Sequence, residues 1–407
     1  MSTPAIASPS AEQIHARRNV GILALAAAIS GSLPAICITL GGLTGIYLLG
    51  PDKSLATLPV SGFHLGAAMG AIPAALLMRQ LGRRLGFMSG ALVGAAGGCL
   101  AATAVVSGSF VLFFLALAAV GFAHAFAQQY RFAAADTGTE AFRARAISLV
   151  ILGGIAAAVI GPQTVIHTRD MLAPVPFAGA YLAMSGLAIA ALVVVSFLGG
   201  TARSAPKAES VAGGRPLAEI ARQPRFIVAV LCAMGSYALM SLVMTAAPLA
   251  MVACGLGEDN AALGIQWHII AMYAPSFLTG ALITRIGAEA VIAIGMALLA
   301  GSGLVGLAGI DLGHFWGALI LLGVGWNFGF VGATTMLTQT YRLNERGKVQ
   351  GLNDLLVFGS VAVASFSSGK LFTSIGWDIL NVVIFPVVAV CTLGVVIAYF
   401  ARRRAEA

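Results

Sequence analysis

Stretches of about 20 almost wholly apolar residues alternate along this chain with short clusters of Gly, Pro, Arg and Lys. A helix rises 1.5 Å per residue, so about 20 such residues cross the ~30 Å hydrocarbon core of a bilayer. Twelve runs reach that length: 20–49, 54–78, 85–106, 109–132, 144–168, 174–199, 225–252, 262–284, 288–310, 315–340, 349–374 and 378–401, here spans 1 to 12. None shows the strict two-residue alternation of a barrel strand. The pattern predicts an all-α membrane protein.

Composition agrees. The 407 residues are 59% hydrophobic and 9% charged, with mean hydropathy +0.95, whereas soluble domains carry roughly 25% charged residues. That much apolar surface must face lipid. The formal net charge of +8 reads as topology. With the N-terminus inside, twenty Lys and Arg residues lie on the cytoplasmic side, among them Arg79, Arg83, Arg84, Arg131, Arg215, Arg342 and Lys348. Only Lys53, Arg169 and Lys370 lie outside. Basic loops mark the cytoplasmic face, so both termini are cytoplasmic, the number of spans is even, and nucleic acid is excluded as a partner. The first 18 residues are polar and show no cleavage-type segment, so span 1 is expected to be a retained signal anchor. Cys37, Cys99, Cys232, Cys254 and Cys391 are scattered singly, without disulfide or metal spacing; no cofactor or metal is expected.

The one long polar interruption, Gly199 to about Gln223, lies near mid-chain. It divides the protein into a cytoplasmic tail (1–19), a six-helix bundle (20–199), a linker (200–224), a second six-helix bundle (225–401) and a short tail (402–407). The halves echo each other: PAALLMRQLGRR after span 2 corresponds to TGALITRIGAEA after span 8, with Gly82 matched by Gly287, and Tyr130-Arg131 after span 4 to Tyr341-Arg342 after span 10. Two similar halves with a site between them characterise secondary transporters. In span 3, Gly82, Gly86, Gly90, Gly94 and Gly98 form a stripe suited to close helix packing.

On these features the chain resembles the major facilitator superfamily of secondary transporters, over essentially its whole length. The turn MRQLGRR matches the superfamily's loop signature at Gly82, Arg83 and Arg84 but carries Arg79 and Gln80 where an acidic residue is usual. Gly161-Pro162 is a fragment of the signature that marks exporters, and Leu117 falls where many proton-coupled members carry an arginine. The resemblance implies twelve helices in two pseudo-symmetric bundles in a bacterial inner membrane, with spans 1, 4, 7 and 10 lining a central path, alternating access, and a protein acting as a monomer.

Polar residues within the spans are the candidates for transport. His124, Gln128 and Arg131 share one face of span 4 at i, i+4 and i+7, and a polar stripe in lipid faces a partner helix or a watery cavity. Asp354, six residues in from Lys348, is the only carboxylate placed beyond the edge of a span. Either it meets Arg131 to close a cytoplasmic gate in the outward-open state, or it pairs locally with Lys348 or caps a helix break. In span 10, Asn327, Thr334, Thr338 and Tyr341 form a second polar stripe, with Trp326, Phe328 and Phe330 around Asn327. Aromatic walls with a few hydrogen-bonding groups suit an organic ligand, although threonines also bond back to their own helix. Tyr237, Ser241 and Tyr273 complete the expected substrate site with His124, Gln128, Trp326, Asn327 and Thr334. Gln163 and Gln266 are further polar positions, Trp267 reads as an interfacial anchor, and Pro34 marks a bend near Cys37.

No nucleotide-binding G-x-x-x-x-G-K-[ST] loop is present, so active transport would draw on an ion gradient. His64, His124, His268 and Asp354 are the protonatable groups in the spans. No Arg or Lys lies deep in the membrane for an anion, and no carboxylate cluster for a strong cation. The expected substrate is a neutral or weakly charged organic molecule, aromatic or heterocyclic, vitamin-like or drug-like, moved with protons. Efflux by proton antiport is the alternative. An enzyme is excluded by dispersed histidines and the absence of H-E-x-x-H and G-x-S-x-G patterns. A transporter-derived sensor or scaffold is the alternative of another class, separated from a carrier by flux in proteoliposomes.

Overall fold

The structure, a computed structural model, describes residues 11–135, 140–199 and 214–406. The terminal residues of both predicted tails and most of the predicted linker, 200–213, lie outside the described residues.

Helices account for all twelve spans. Ala11–Ser30 with Ser32–Leu48 form span 1; Leu58–Leu81, Arg83–Val106, Phe110–Ala127 with Tyr130–Ala135, Glu140–Thr168 and Ala178–Ser196 form spans 2 to 6. After a short helix at Leu217–Ala221, Pro224–Ala253, Gly257–Tyr273 with Ser276–Ile286, Ala288–Ala308 and Leu312–Thr338 form spans 7 to 10. Arg346–Phe400 is one nearly continuous helical stretch of 55 residues. At 1.5 Å per residue that is about 80 Å, too long for one crossing. Gly376, with φ 81° and ψ −178°, turns it between spans 11 and 12. Gly82 (φ 85°, ψ 162°) and Gly287 (φ 87°, ψ 159°) turn spans 2–3 and 8–9 with nearly identical geometry, as the matched sequences predicted.

Three spans are broken: span 1 beside the bend expected at Pro34, and spans 4 and 8 where one continuous helix was expected. Span 1 breaks after Ser30 because Pro34 offers no N–H to that carbonyl. Span 8 breaks at Ala274 and Pro275, and span 4 at Gln128 and Gln129. Irregular backbone at membrane depth survives only inside protein or against water, so each break marks a place turned to the bundle interior or to water.

Close approach of backbones holds each bundle. A Cβ on Gly121 would lie 1.9 Å from Phe63 O, and one on Gly66 2.0 Å from Ala118 O, so spans 2 and 4 touch main chain to main chain. In the span 3 stripe, Gly90 meets Phe126 of span 4 and Gly98 meets Ser185 of span 6. The stripe is architecture.

The two halves meet at their outer ends. Thr57 Oγ1 accepts from Gly369 N–H at 3.1 Å and donates to Phe366 O at 3.4 Å. Gln163 Nε2 donates to Gln266 Oε1 at 3.1 Å, Arg169 is ion-paired with Asp259, and Leu249 packs on Gly42. These join spans 2 to 11, 5 to 8, and 7 to 1. Toward the cytoplasm, Gln128, Arg131 and Asp354 stand exposed. The two halves are joined at their outer ends and open toward the cytoplasm.

On the cytoplasmic side the end of the linker is tied to the second bundle. Glu345, fully buried, accepts from Arg215 N (2.8 Å), Nε (3.0 Å) and Nη2 (2.8 Å) and from Arg342 N (2.9 Å). Lys348 Nζ donates to Arg215 O. These bonds from Arg215 and Arg342 hold the Glu345 carboxyl well below the ordinary carboxylate range.

Candidate functional site

The inward-facing centre is built from spans 4, 7, 8, 10 and 11, with span 2 beside span 4. On the second bundle, Tyr237 stands edge-on to Trp326 (centroids 5.2 Å apart), Phe330 (5.2 Å) and Phe358 (6.0 Å). Trp326 and Phe330, one helical turn apart, stack at 5.4 Å and 10°. The Trp326 indole N–H is buried without a partner. This is a rigid aromatic wall with one unused donor.

On the first bundle, Gln128 Nε2 and His124 Nε2 are 3.0 Å apart. His124 Nδ1 is buried and unpartnered, and its ring lies 5.6 Å from that of Phe63. The turn-breaking position of Gln128 leaves its amide exposed at the end of the regular helix. Arg131, exposed and resting over the Phe132 ring at 4.8 Å, is within electrostatic range of Tyr237, Tyr273 and Asp354. Asp354 has no ion-pair partner among the described residues; its oxygen accepts from Asn353 Nδ2 at 3.2 Å. Lys348, the predicted local partner, is engaged with Arg215 O instead.

Three predicted site residues, Asn327, Ser241 and His268, are buried against neighbouring helices, and a fourth, Thr334, bonds back to its own helix. Asn327 is 1% exposed. Its Nδ2 donates to Met272 O and Ser276 Oγ, both at 2.7 Å, and its Oδ1 accepts from Thr279 Oγ1 at 2.6 Å. The break at Pro275 strands the Met272 carbonyl, and Asn327 satisfies it. Ser241 is buried against span 11, donating to Val361 O at 3.5 Å. Thr334 donates to Phe330 O of its own helix at 2.8 Å. His268 is fully buried with Nδ1 2.7 Å from Leu319 O. A polar residue in a membrane helix is satisfied equally well by a neighbouring helix, which periodicity cannot distinguish from a cavity. Trp267 is 41% exposed at an outer helix face, as an anchor would be. The contribution of Phe358, adjacent to Tyr237 but 32 residues beyond Trp326 in sequence, was not visible in the pattern of span 11.

Among the described residues no group of three or more His, Cys, Asp or Glu is placed to hold a metal ion. The arrangement suits binding of a flat organic molecule and a change of access.

Two six-helix bundles sealed on one side around such a centre define a secondary carrier. The sequence profile of the Major Facilitator Superfamily matches residues 19–353 and, overlapping, 231–407; the chain belongs to this family, and it is a transporter, not an enzyme. It is 52% identical over 379 residues to the riboflavin transporter RfnT of Brucella anthropi, covering 92% of this chain and 94% of that protein. It is 30% identical to the uncharacterized MFS-type transporter YddS of Bacillus subtilis over 418 residues, 99% of this chain and 95% of the relative. Among solved structures, a point mutant of the nucleoside transporter NupG superposes with a TM-score of 0.74 at 13% identity, over 93% of this chain and 99% of that one; that likeness is one of fold.

Proposed function

We propose that this protein carries riboflavin across the bacterial inner membrane by alternating access. The observation that carries the reading is the Tyr237–Trp326–Phe330–Phe358 wall in a chain half identical to a riboflavin transporter. A flavin ring is flat, uncharged and wide enough to stack on it, and aromatic stacking with a few placed polar groups gives affinity without charge. Gln128 and the Trp326 N–H supply hydrogen bonds to the ring or its sugar-alcohol chain.

In this reading Arg131 and Asp354 approach when the carrier turns outward and close the cytoplasmic gate. Proton coupling would run through the protonatable groups of the path, Asp354 and the histidines; histidine titrates near pH 6.5 when unperturbed, and a proton crossing 100 mV gains roughly 2.3 kcal/mol.

Riboflavin fluorescence falls when its ring stacks on tryptophan or tyrosine, so titration of detergent-purified protein tests binding directly. Saturable quenching, weakened about tenfold or more in Trp326→Ala, is expected; one lost stacking contact of about 1.4 kcal/mol gives that factor. Absence of saturable quenching in the wild type would remove the proposal.

A further inference from the structure

The geometry points to His64 and His124 as the pair that reads the imide edge of the substrate ring, and so as specificity-determining residues of the site; this deepens, and rests on, the riboflavin reading above. Phe63 lies with its ring centroid 5.4 Å from that of His64 and 5.6 Å from that of His124, and the two imidazoles are within electrostatic range of each other. They come from different helices. Spans 2 and 4 can bring them together because Gly66 and Gly121 let the two backbones touch.

Both residues sit on faces turned toward the centre. His64 follows Thr57 by seven residues, two helical turns on the same face, and Thr57 bonds span 11 of the other bundle. His124 follows Leu117 by seven residues, and the Leu117 side chain meets Gly41 of span 1. His64 thus lies two turns in from the outer seal and His124 one turn from Gln128, which opens toward the cytoplasm, so the pair sits between the seal and the cytoplasmic opening.

Each imidazole holds a buried ring nitrogen with no hydrogen-bond partner, Nε2 of His64 and Nδ1 of His124. Buried polar atoms are nearly always paired, and an exception calls for an explanation. With Gln128 Nε2 donating to His124 Nε2, the His124 ring proton sits on Nδ1, which becomes a donor. With its own ring proton on Nδ1, His64 presents Nε2 as the acceptor. A donor beside an acceptor complements a C=O next to an N–H, the repeating unit of the flavin's pyrimidinedione edge. A ring with that edge meets both unmet groups at once.

A flavin methylated on the imide nitrogen keeps the ring and the carbonyls but loses the N–H, and gives the test. A site built to hydrogen-bond one group rejects the analogue lacking it. Wild-type protein is expected to bind riboflavin at least about tenfold more tightly than the N-methyl flavin by fluorescence titration. His64→Phe and His124→Phe should each weaken riboflavin binding about tenfold and bring the two flavins to within about threefold of each other. His64→Gln, which keeps a hydrogen-bonding end, should restore much of the preference and serves as the folding control. Wild-type binding of riboflavin with the preference unchanged in both Phe variants would overturn this inference and leave the carrier reading standing. A wild type that binds neither flavin would overturn the carrier reading and this inference with it.

Discussion

Asn327 shows what a single polar residue does in lipid. It was expected to touch substrate and instead satisfies Met272 O, Ser276 and Thr279 at a helix break. Asn327→Ala strands these groups in an apolar interior, at a cost of about 1–3 kcal/mol. A fall in thermal unfolding temperature is predicted, with riboflavin affinity per folded molecule changed little. Trp326 and Tyr237, whose rings face one another beside an unused indole N–H, should show the reverse. His124, Gln128 and Trp326 were legible as site candidates because they break an apolar pattern at helical spacing. Asn327, Ser241, Thr334 and His268 break it equally, but their partners lie on other helices or on the carbonyl one turn back. Spacing records which residues are polar and which face they share; it does not record what that face meets.

At the scale of elements, hydropathy located every span but not the breaks within spans 4 and 8. A helix and a broken helix of the same length have the same mean hydropathy, and the break depends on whether side chains elsewhere accept the freed backbone groups. The single-glycine turns at Gly82 and Gly287 were legible because both repeat one local sequence pattern at a positive φ. The backbone contact of spans 2 and 4 yields a sharp expectation. Gly121→Val places carbon atoms where Phe63 O already sits, and neither backbone can yield without losing helix bonds. The variant should express poorly or unfold at lower temperature in detergent. The linker anchor is a second element-scale case. Glu345→Gln removes the charge that the Arg215 and Arg342 donors hold, and residues 214–223 should become more accessible to protease at about pH 7. The wild-type carboxyl lies below its ordinary range, so its contribution is present above about pH 4.3, the unfolded value, and is lost only as pH falls further. Protection of the linker should therefore be the same at about pH 7 and about pH 5.

The whole molecule has one side closed. Thr57 with span 11, Gln163 with Gln266, and Arg169 with Asp259 hold the outer ends together, while Arg131 and Asp354 face the open cytoplasmic side. Nothing in the sequence announced which conformation would be found, since both states use the same helices and differ only in which ends touch. Arg169→Ala combined with Gln266→Ala weakens the outer seal alone, and should raise the reactivity of a cysteine placed just inside it toward a membrane-impermeant reagent. Asp354→Asn should do the same for access from the cytoplasm if the proposed gate with Arg131 operates, and leaves that access unchanged if it does not.

The central claim is that this two-bundle carrier moves riboflavin past an aromatic wall on its second half. The most direct measurement is uptake of radiolabelled riboflavin into proteoliposomes containing the purified protein, with Trp326→Ala reconstituted alongside. Saturable uptake above protein-free liposomes, competed by unlabelled riboflavin and reduced about tenfold or more in the variant at low substrate, is the predicted result. Uptake no faster than in empty liposomes, or uptake indifferent to Trp326, would contradict it.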